Sequence, residues 1–332
     1  MFFKKGPGIG LDIGSKKIKL VQVKRHSTYL EIVKFKSIFT PPAAIETGYI
    51  VDPQRLGQEI GILVKDLSLK GRRVVSMIPA QHVYTQNIIL PRMNPAELKE
   101  AITYQAMMFL PIPIEETVID FCPFREFRDE EGEKIEVFFT AARKQHLEKL
   151  IEAVQIAGLK LAVAEIEPLA IYRILGTIND SEIKAFLNIG ASRSYFSVFK
   201  RNILISFHSL AFGSSLFLQD MDFHGNGLDK IDINVIPQYN NTLRDVINEV
   251  FRTVEYYNLN NRGQEISKII LCGGGARIRG LDKSLSRGVG CSFEIANILP
   301  GLILPENINE DNKRELQYDF PAAVGLAARE VV

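Results

Sequence analysis

Gly10-Leu11-Asp12-Ile13-Gly14-Ser15 and, half a chain later, Leu187-Asn188-Ile189-Gly190-Ala191-Ser192 are two versions of one phrase. Gly190 lies 176 positions after Gly14, and at the same offset Lys24-Arg25 is repeated as Lys200-Arg201. Between these anchors both copies alternate as strands do, over Ile18 to Val23 and Tyr195 to Phe199. A further strand-like run follows each, Tyr29 to Ile38 and Ile203 to His208. Each half therefore opens as strand, tight glycine turn, strand, basic turn, strand. An internal repeat of this length predicts two lobes built on related sheets. It also predicts that the Gly14 and Gly190 turns face each other across a cleft.

The rest of the chain fills in around the repeat. Apolar spacing predicts a helix from Pro53 to Leu69, closed by Gly71, and strands over Val74 to Ile78 and Val83 to Leu90. Asn94 can cap a helix starting at Pro95, with Glu97 in its first turn. Strands over Val118 to Phe127 and Ile135 to Phe139 flank the acidic turn Asp129 to Gly132. A helix from Gln145 to Ala157 and a strand from Leu161 to Ile166 follow. Residues 85–165 thus read as a β-α-β-β-α-β subdomain inserted into the first lobe. The first-lobe core is then 1–84, completed by about 166–182 and 319–332, and the second lobe is 183–318. Residues 211–239, with Gly213, Gly225, Asp220 and Asp222, show weak periodicity and read as a reduced subdomain. Thr242 to Leu259 is an amphipathic helix, and Lys268 to Leu271 a strand running into Gly273-Gly274-Gly275. A helix is predicted near Leu281, and Pro321 to Val331 is a final helix rich in small residues.

Composition narrows the function. Of 332 residues 46% are hydrophobic and 24% charged, and net charge is +1, which excludes a disordered chain and argues against a strongly basic nucleic-acid binder. The three cysteines form no CxxC pair, so neither a disulfide framework nor a zinc knuckle is implied and a reducing compartment is expected. No uncharged run reaches the ~18 residues of a membrane span, and Met1 to Pro7 holds no apolar signal region. The five histidines show no ligand spacing.

The two glycine turns and the glycine triplet make one set. A hairpin turn with glycine exposes backbone N–H groups that can cradle phosphate. Two such turns face to face can hold a phosphate tail from both sides. A carboxylate at a strand end can hold Mg²⁺ through water. Three glycines after a strand leave room for a flat base or ribose.

On these residues the chain resembles the actin-like (ribonuclease H-like) ATPase fold. Within it the chain is most similar to the PilM family of type IV pilus assembly proteins, and next to the FtsA division proteins. The first phosphate loop matches from Gly10 to Lys19 and the second from Leu187 to Ser192. The adenosine loop matches from Ile269 to Ala276 with Gly280-Leu281 following, and the closing helix from Pro321 to Ala327.

The resemblance implies ATP and Mg²⁺ as cofactors, with Asp12 at the metal. It implies phosphate contacts from Gly14, Ser15, Lys16 and Lys19 on one side, and from Asn188, Gly190, Ala191 and Ser192 on the other. Gly273, Gly274 and Gly275 would face the adenosine, and Glu165 or Glu167 would position the attacking water. It further implies a cytoplasmic scaffold held at the inner membrane by a PilN-like single-span protein of the pilus assembly platform, docked near the inserted subdomain. The alternative is an active actin-like ATPase whose turnover drives self-association or closure, or an FtsA-like division protein. FtsA-like chains carry a terminal amphipathic anchor, which Val331-Val332 does not supply. Asn188 stands where the second loop usually opens with Asp, so little or no hydrolysis is expected, and Asn188→Asp is expected to raise it. The segment that carries a Glu and a Lys near adenosine in relatives is not found in 211–239.

Overall fold

The computed structural model describes residues 7–26, 29–176, 183–218, 227–233 and 240–329. The first half opens with strands β1 (Gly8–Ile13), β2 (Lys17–Arg25) and β3 (Leu30–Phe39). Short strands β4 (Ile45–Glu46) and β5 (Tyr49–Ile50) lead into helix α1 (Pro53–Asp66) and strand β6 (Arg73–Ile78). Then come β7 (Val83–Pro91), α2 (Pro95–Phe109), β8 (Thr117–Asp129), β9 (Gly132–Arg143), α3 (Lys144–Ile156), β10 (Lys160–Ile166) and α4 (Glu167–Leu175). The second half holds β11 (Lys184–Ile189), β12 (Ser194–Lys200), β13 (Ile203–Leu210), α5 (Asn240–Asn260), β14 (Lys268–Cys272), α6 (Leu281–Val289) and β15 (Ser292–Ile295). It closes with β16 (Leu302–Ile303), α7 (Glu310–Asp319) and α8 (Pro321–Arg329).

The repeat is a repeat of topology. One sheet runs β10-β6-β1-β2-β3-β16 and the other β13-β12-β11-β14-β15. Without β16 the two orders are the same: an antiparallel meander of three strands, then two strands parallel to its first. Each sheet has its own core. Ile9, Leu11, Leu20, Leu56, Ile60 and Leu63 pack in the first. Leu187, Ile189, Phe196, Val250, Leu271 and Leu285 pack in the second.

The stretch from 85 to 165 has the expected order of elements, but its sheet pairing is divided. β7, β9 and β8 form a separate three-stranded sheet, and α2 packs on it through Leu98, Ile102 and Ala106. The capping box at Asn94 and Glu97 starts that helix. α3 and β10 do not belong to this unit. β10 pairs with β6 in the first sheet, and α3 buries Leu150, Ala153 and Val154 against the α1 side chains. The three-stranded unit therefore ends at Arg143, short of 165.

Helices α4 and α7 and strand β15 have no counterpart in the sequence reading. α7 has little apolar periodicity and is started by its Asn309 cap, whose side chain accepts from the Asn312 N–H. The small residues of α8 serve close packing. A Cβ at Gly325 would lie 2.0 Å from the Ala170 carbonyl oxygen of α4. Of the loop at 211–239, Asp220, Asp222, His224 and Gly225 lie outside the described residues, as do Val331 and the stretch from Met1 to Gly6. Among the described residues, no helix is long and apolar enough to cross a membrane.

Candidate nucleotide cleft

The hairpin β1–β2 is closed by the Gly14 N–H donating to Lys17 O at 3.0 Å. Its counterpart β11–β12 is closed by Gly190 N–H donating to Arg193 O, also at 3.0 Å. The two loops are thus copies of one turn. They meet: Ser192 Oγ donates to Ser15 Oγ at 2.9 Å. Both loops line one large cleft, joined by Asp12, Glu167, Asn188, Gly273, Gly274 and Arg277. The facing arrangement read from the repeat is present.

Individual residues differ from their expected parts. The amides of Gly14 and Gly190 close the turns, which leaves those of Ser15, Ala191 and Ser192 at the loop tips. A Cβ on Gly14 would lie 2.9 Å from Lys17 O, so a side chain there presses on the closing bond itself. The second loop is backed by Gly213 to Ser215. Ser214 and Ser215 donate to the carbonyls of Gly190 and Ala191 at 2.9 Å each, and a Cβ on Gly213 would lie 2.3 Å from Ala191 O.

Lys19 is not free to reach a phosphate. Register pairs it with Asp12 on the neighbouring strand, and its Nζ lies 2.6 Å from Asp12 Oδ2. Burial acts to lower the Lys19 pKa, but the Asp12 charge and hydrogen bond outweigh it and the net shift is upward. In the second hairpin the same register sets Tyr195 opposite Asn188. The ion pair of one lobe is a neutral pair in the other. Lys16 lines the cleft, its pKa lowered by burial and by Lys17, with Asp319 opposing.

The two glutamates part company. Glu165 is the penultimate residue of β10, and its buried carboxylate is held by Arg173 at 2.7 and 2.9 Å and by Arg329 at 2.6 Å. It ties α4 to α8 and does not line the cleft, so the expectation that it could position water is not met. Glu167 begins α4 and turns into the cleft. Burial raises its pKa to about 8, aided by the Asp12 charge and opposed by Lys19, so it carries a proton at neutral pH. It accepts a short hydrogen bond from Asn188 Nδ2.

The glycine triplet also divides. Gly273 has φ +84°, and a Cβ there would lie 2.2 Å from Asn188 Oδ1. Gly274 lines the cleft. Gly275 does not: it is buried, and a Cβ on it would lie 2.2 Å from Ile189 Cγ2, so its role is packing.

Several cleft residues lie outside the sequence motifs. Tyr195 Oη donates to Gln81 Oε1 at 2.7 Å, a further link between the lobes. Arg277 pairs with Asp229 at 3.3 Å and Asp319 at 3.2 Å, while its buried Nε has no partner among the described residues. Lys17 pairs with Glu315 at 2.8 Å and Asp319 at 3.2 Å. The signal for Arg277 was its position two residues after the triplet. The acids of α7 gave none.

A donor set for Mg²⁺ is poorly met. Asp12 is already neutralised by Lys19, Asn188 is an amide, and Glu167 holds a proton. Among the described residues no group of three or more His, Cys, Asp or Glu could hold a metal ion.

A family model, Type IV pilus assembly protein PilM, matches residues 10–331. The chain belongs to the PilM family. Its fold is that of the solved structure described as the PilM-PilN type IV pilus biogenesis complex, with a TM-score of 0.84 at 23% identity over 99% of both chains. The ethanolamine utilization protein EutJ from Carboxydothermus hydrogenoformans matches at TM-score 0.57 and 14% identity, over 97% of this chain and 89% of that one. MreB5 of Spiroplasma citri, solved bound to ADP, matches at TM-score 0.51 and 12% identity, over 89% and 93%. The PilM family member described here therefore has the two-lobed actin-like fold, and its family's work is type IV pilus assembly.

Proposed function

We propose that this chain is a nucleotide-binding scaffold of a type IV pilus assembly platform, with weak or absent ATP hydrolysis. The observation that carries the reading is the pair of copied hairpin loops meeting at Ser15 and Ser192. Loop-tip amides of Ser15, Ala191 and Ser192, with Lys16, would hold the phosphates of ATP, and the backbone at Gly273 and Gly274 would lie along the adenosine. ATP would supply the charge that draws the two loops together, replacing the serine contact. Any Mg²⁺ would be held through water beside Asp12. A protonated Glu167 cannot take a proton from water, and an amide at 188 cannot either. Titrating the protein with a fluorescent ATP analogue, with and without Mg²⁺, tests this. Saturable binding that depends little on Mg²⁺ is expected, and Gly14→Val is expected to weaken it at least about tenfold by obstructing the loop. Robust Mg²⁺-dependent turnover by the unmodified protein would overturn the reading.

The likeness to a PilM-PilN complex supports a PilN-like single-span membrane protein as partner, and a place at the inner membrane reached through it. In fractionated cells the chain is expected to pellet with membranes only when that partner is present. The three-stranded unit is the proposed docking element. Val83 and Ala142 are register neighbours, so a two-residue Gly link can replace residues 84–141 without straining the first sheet. That deletion is expected to abolish recruitment while ATP binding persists. Deletion as far as 165 would instead remove β10 and α3 from the first lobe and unfold it.

A further inference from the structure

The repeated Lys24-Arg25 has no part in the cleft, and register shows where it lies. Arg73 of β6 pairs with Lys160 of β10, and Gly8 of β1 pairs with Val23 of β2. Gly10 pairs with Val75, so counting back two residues sets Gly8 level with Arg73. The starts of β10, β6 and β1 and the end of β2 therefore form one rim, at the end of the first sheet away from the Gly14 turn. Lys24 and Arg25 carry β2 past that level. The turns that enter β6 and β10 lie together there: Lys160 N–H donates to Arg72 O at 2.9 Å, and Gly71 N–H to Gly158 O at 2.7 Å. With neighbouring strands about 4.8 Å apart, the five strands from β10 to β3 make a rim roughly 20 Å wide.

The rim is cationic. In sequence its segments 23–31, 67–73 and 157–161 hold Lys24, Arg25, Lys70, Arg72, Arg73 and Lys160 against one acid, Glu31. All six cations are exposed. The chain as a whole carries only +1, so the rim is a segregation of charge and not a sample of the composition. The second lobe has the same topology without the same charge. Its copy of Arg73 is Lys268, which pairs with Glu294 at 2.6 Å, and its copy of Lys160 is Ser292. Lys200, the copy of Lys24, donates to Gln264 Oε1 at 2.7 Å. Tyr29 is the rim's one aromatic residue. Its carbonyl accepts from His26 N–H at 2.9 Å in the turn from β2 to β3, and the residue is 51% exposed.

A broad cationic end calls for a polyanion. A single-stranded nucleic acid is held on several aromatic rings in succession, and this rim has one. A phenol among cations instead suits the headgroup layer of a bilayer, where the ring meets the acyl boundary and the hydroxyl meets water. The sequence running into β1 is of the same kind, Phe2-Phe3-Lys4-Lys5. We infer that this end of the first lobe rests on an anionic membrane surface, with its cations against lipid headgroups and Tyr29 at the interface. Each Lys or Arg close to such a surface strengthens binding about fivefold, and salt screens the effect. At cellular ionic strength the rim orients a chain that a partner has already brought to the membrane. The cleft, at the other end of the same strands, then faces away from the bilayer. The inference rests neither on the nucleotide reading nor on the docking element proposed above.

The test is co-sedimentation of the full chain with vesicles of phosphatidylcholine, either alone or with about one-third phosphatidylglycerol. Binding to the anionic vesicles at about 50 mM salt, its loss at about 500 mM, and no binding to phosphatidylcholine are expected. Lys70→Glu combined with Lys160→Glu reverses two rim charges and is expected to weaken binding at least about twentyfold. Lys99→Glu combined with Lys283→Glu makes the same change in net charge on α2 and α6, and is expected to leave binding within about twofold. All four sites are exposed, so the thermal midpoints of both double variants are expected to match the wild type. A DNA duplex added in competition is expected to leave the vesicle-bound fraction in place. Absence of binding at low salt, equal weakening in both double variants, or release from the vesicles by an equal charge of duplex would each overturn the proposal.

Discussion

Glu167→Gln is expected to stabilise the protein at pH 8 and to flatten the dependence of its stability on pH. Burial raises the pKa of the folded carboxyl to about 8, and in the unfolded chain it returns to its ordinary value of 4.5. Between those values the folded state holds a proton that the unfolded state has released. Stability contributed by the protonated carboxyl is therefore fully present below about 4.5, falls as pH rises, and levels off above about 8. The total is on the order of 3–5 kcal/mol. Gln keeps an oxygen to accept from Asn188 and has no proton to lose. Thermal midpoints measured from pH 5 to 9 should fall with pH for the wild type and stay nearly level for Glu167→Gln. Parallel curves would show that Glu167 is ionised in the fold. The same reasoning tempers the effect of Asn188→Asp. That change exchanges a donor for an acceptor, so the Glu167 proton becomes the only one binding two carboxyls, and raised turnover would have to overcome that.

Gly10→Val is expected to abolish folding. A Cβ at Gly10 would lie 2.1 Å from Ala323 O and 2.7 Å from Ala327 N, both backbone atoms of α8. Neither can move without lifting the helix from β1, and with it the buried Ala323, Val324 and Ala327. The cost exceeds about 4 kcal/mol, a large share of a domain's stability. Gly61 is the control. It sits inside α1, and a Cβ there would have the Ala157 Cα at 3.8 Å, an ordinary contact. Gly61→Ala should raise stability by about 0.5–1 kcal/mol through lower unfolded-chain entropy. Soluble yield and thermal midpoints of the two variants separate the cases. A folded Gly10→Val of ordinary stability would mean that α8 does not seat on β1.

What could be read in advance was what the chain states twice. Asp12-Ile13-Gly14 and Asn188-Ile189-Gly190 announce each other, and their facing placement follows from the copied topology. The Asp12–Lys19 pair was also within reach. Once Gly14 closes on Lys17, counting back along both strands sets Asp12 against Lys19. The division of 85–165 was not within reach, because β10 and α3 are defined by partners far back in the chain, β6 and α1. Glu165 and Glu167 could not be told apart by strand alternation. The strand ends between them, at Ile166, and the helix that begins at Glu167 turns the second carboxylate to the other side. The acids of α7 escaped notice because a polar helix shows no apolar stripe, though Asp319 and Glu315 bind cleft-lining Lys17.

The two halves also reach completion at different moments. β11 to β15 lie within one continuous run of chain, from Lys184 to Ile295. The first sheet waits for segments made after the second lobe's sheet: β16 adds to its β3 edge, and α8 covers β1 and β2. A ribosome making this protein thus releases an N-terminal sheet whose apolar face, with Val21, Val23 and Ile32, stays bare until the closing helix has left the exit tunnel. The second lobe can fold in the meantime. Of the two sheets, the one begun first is finished last.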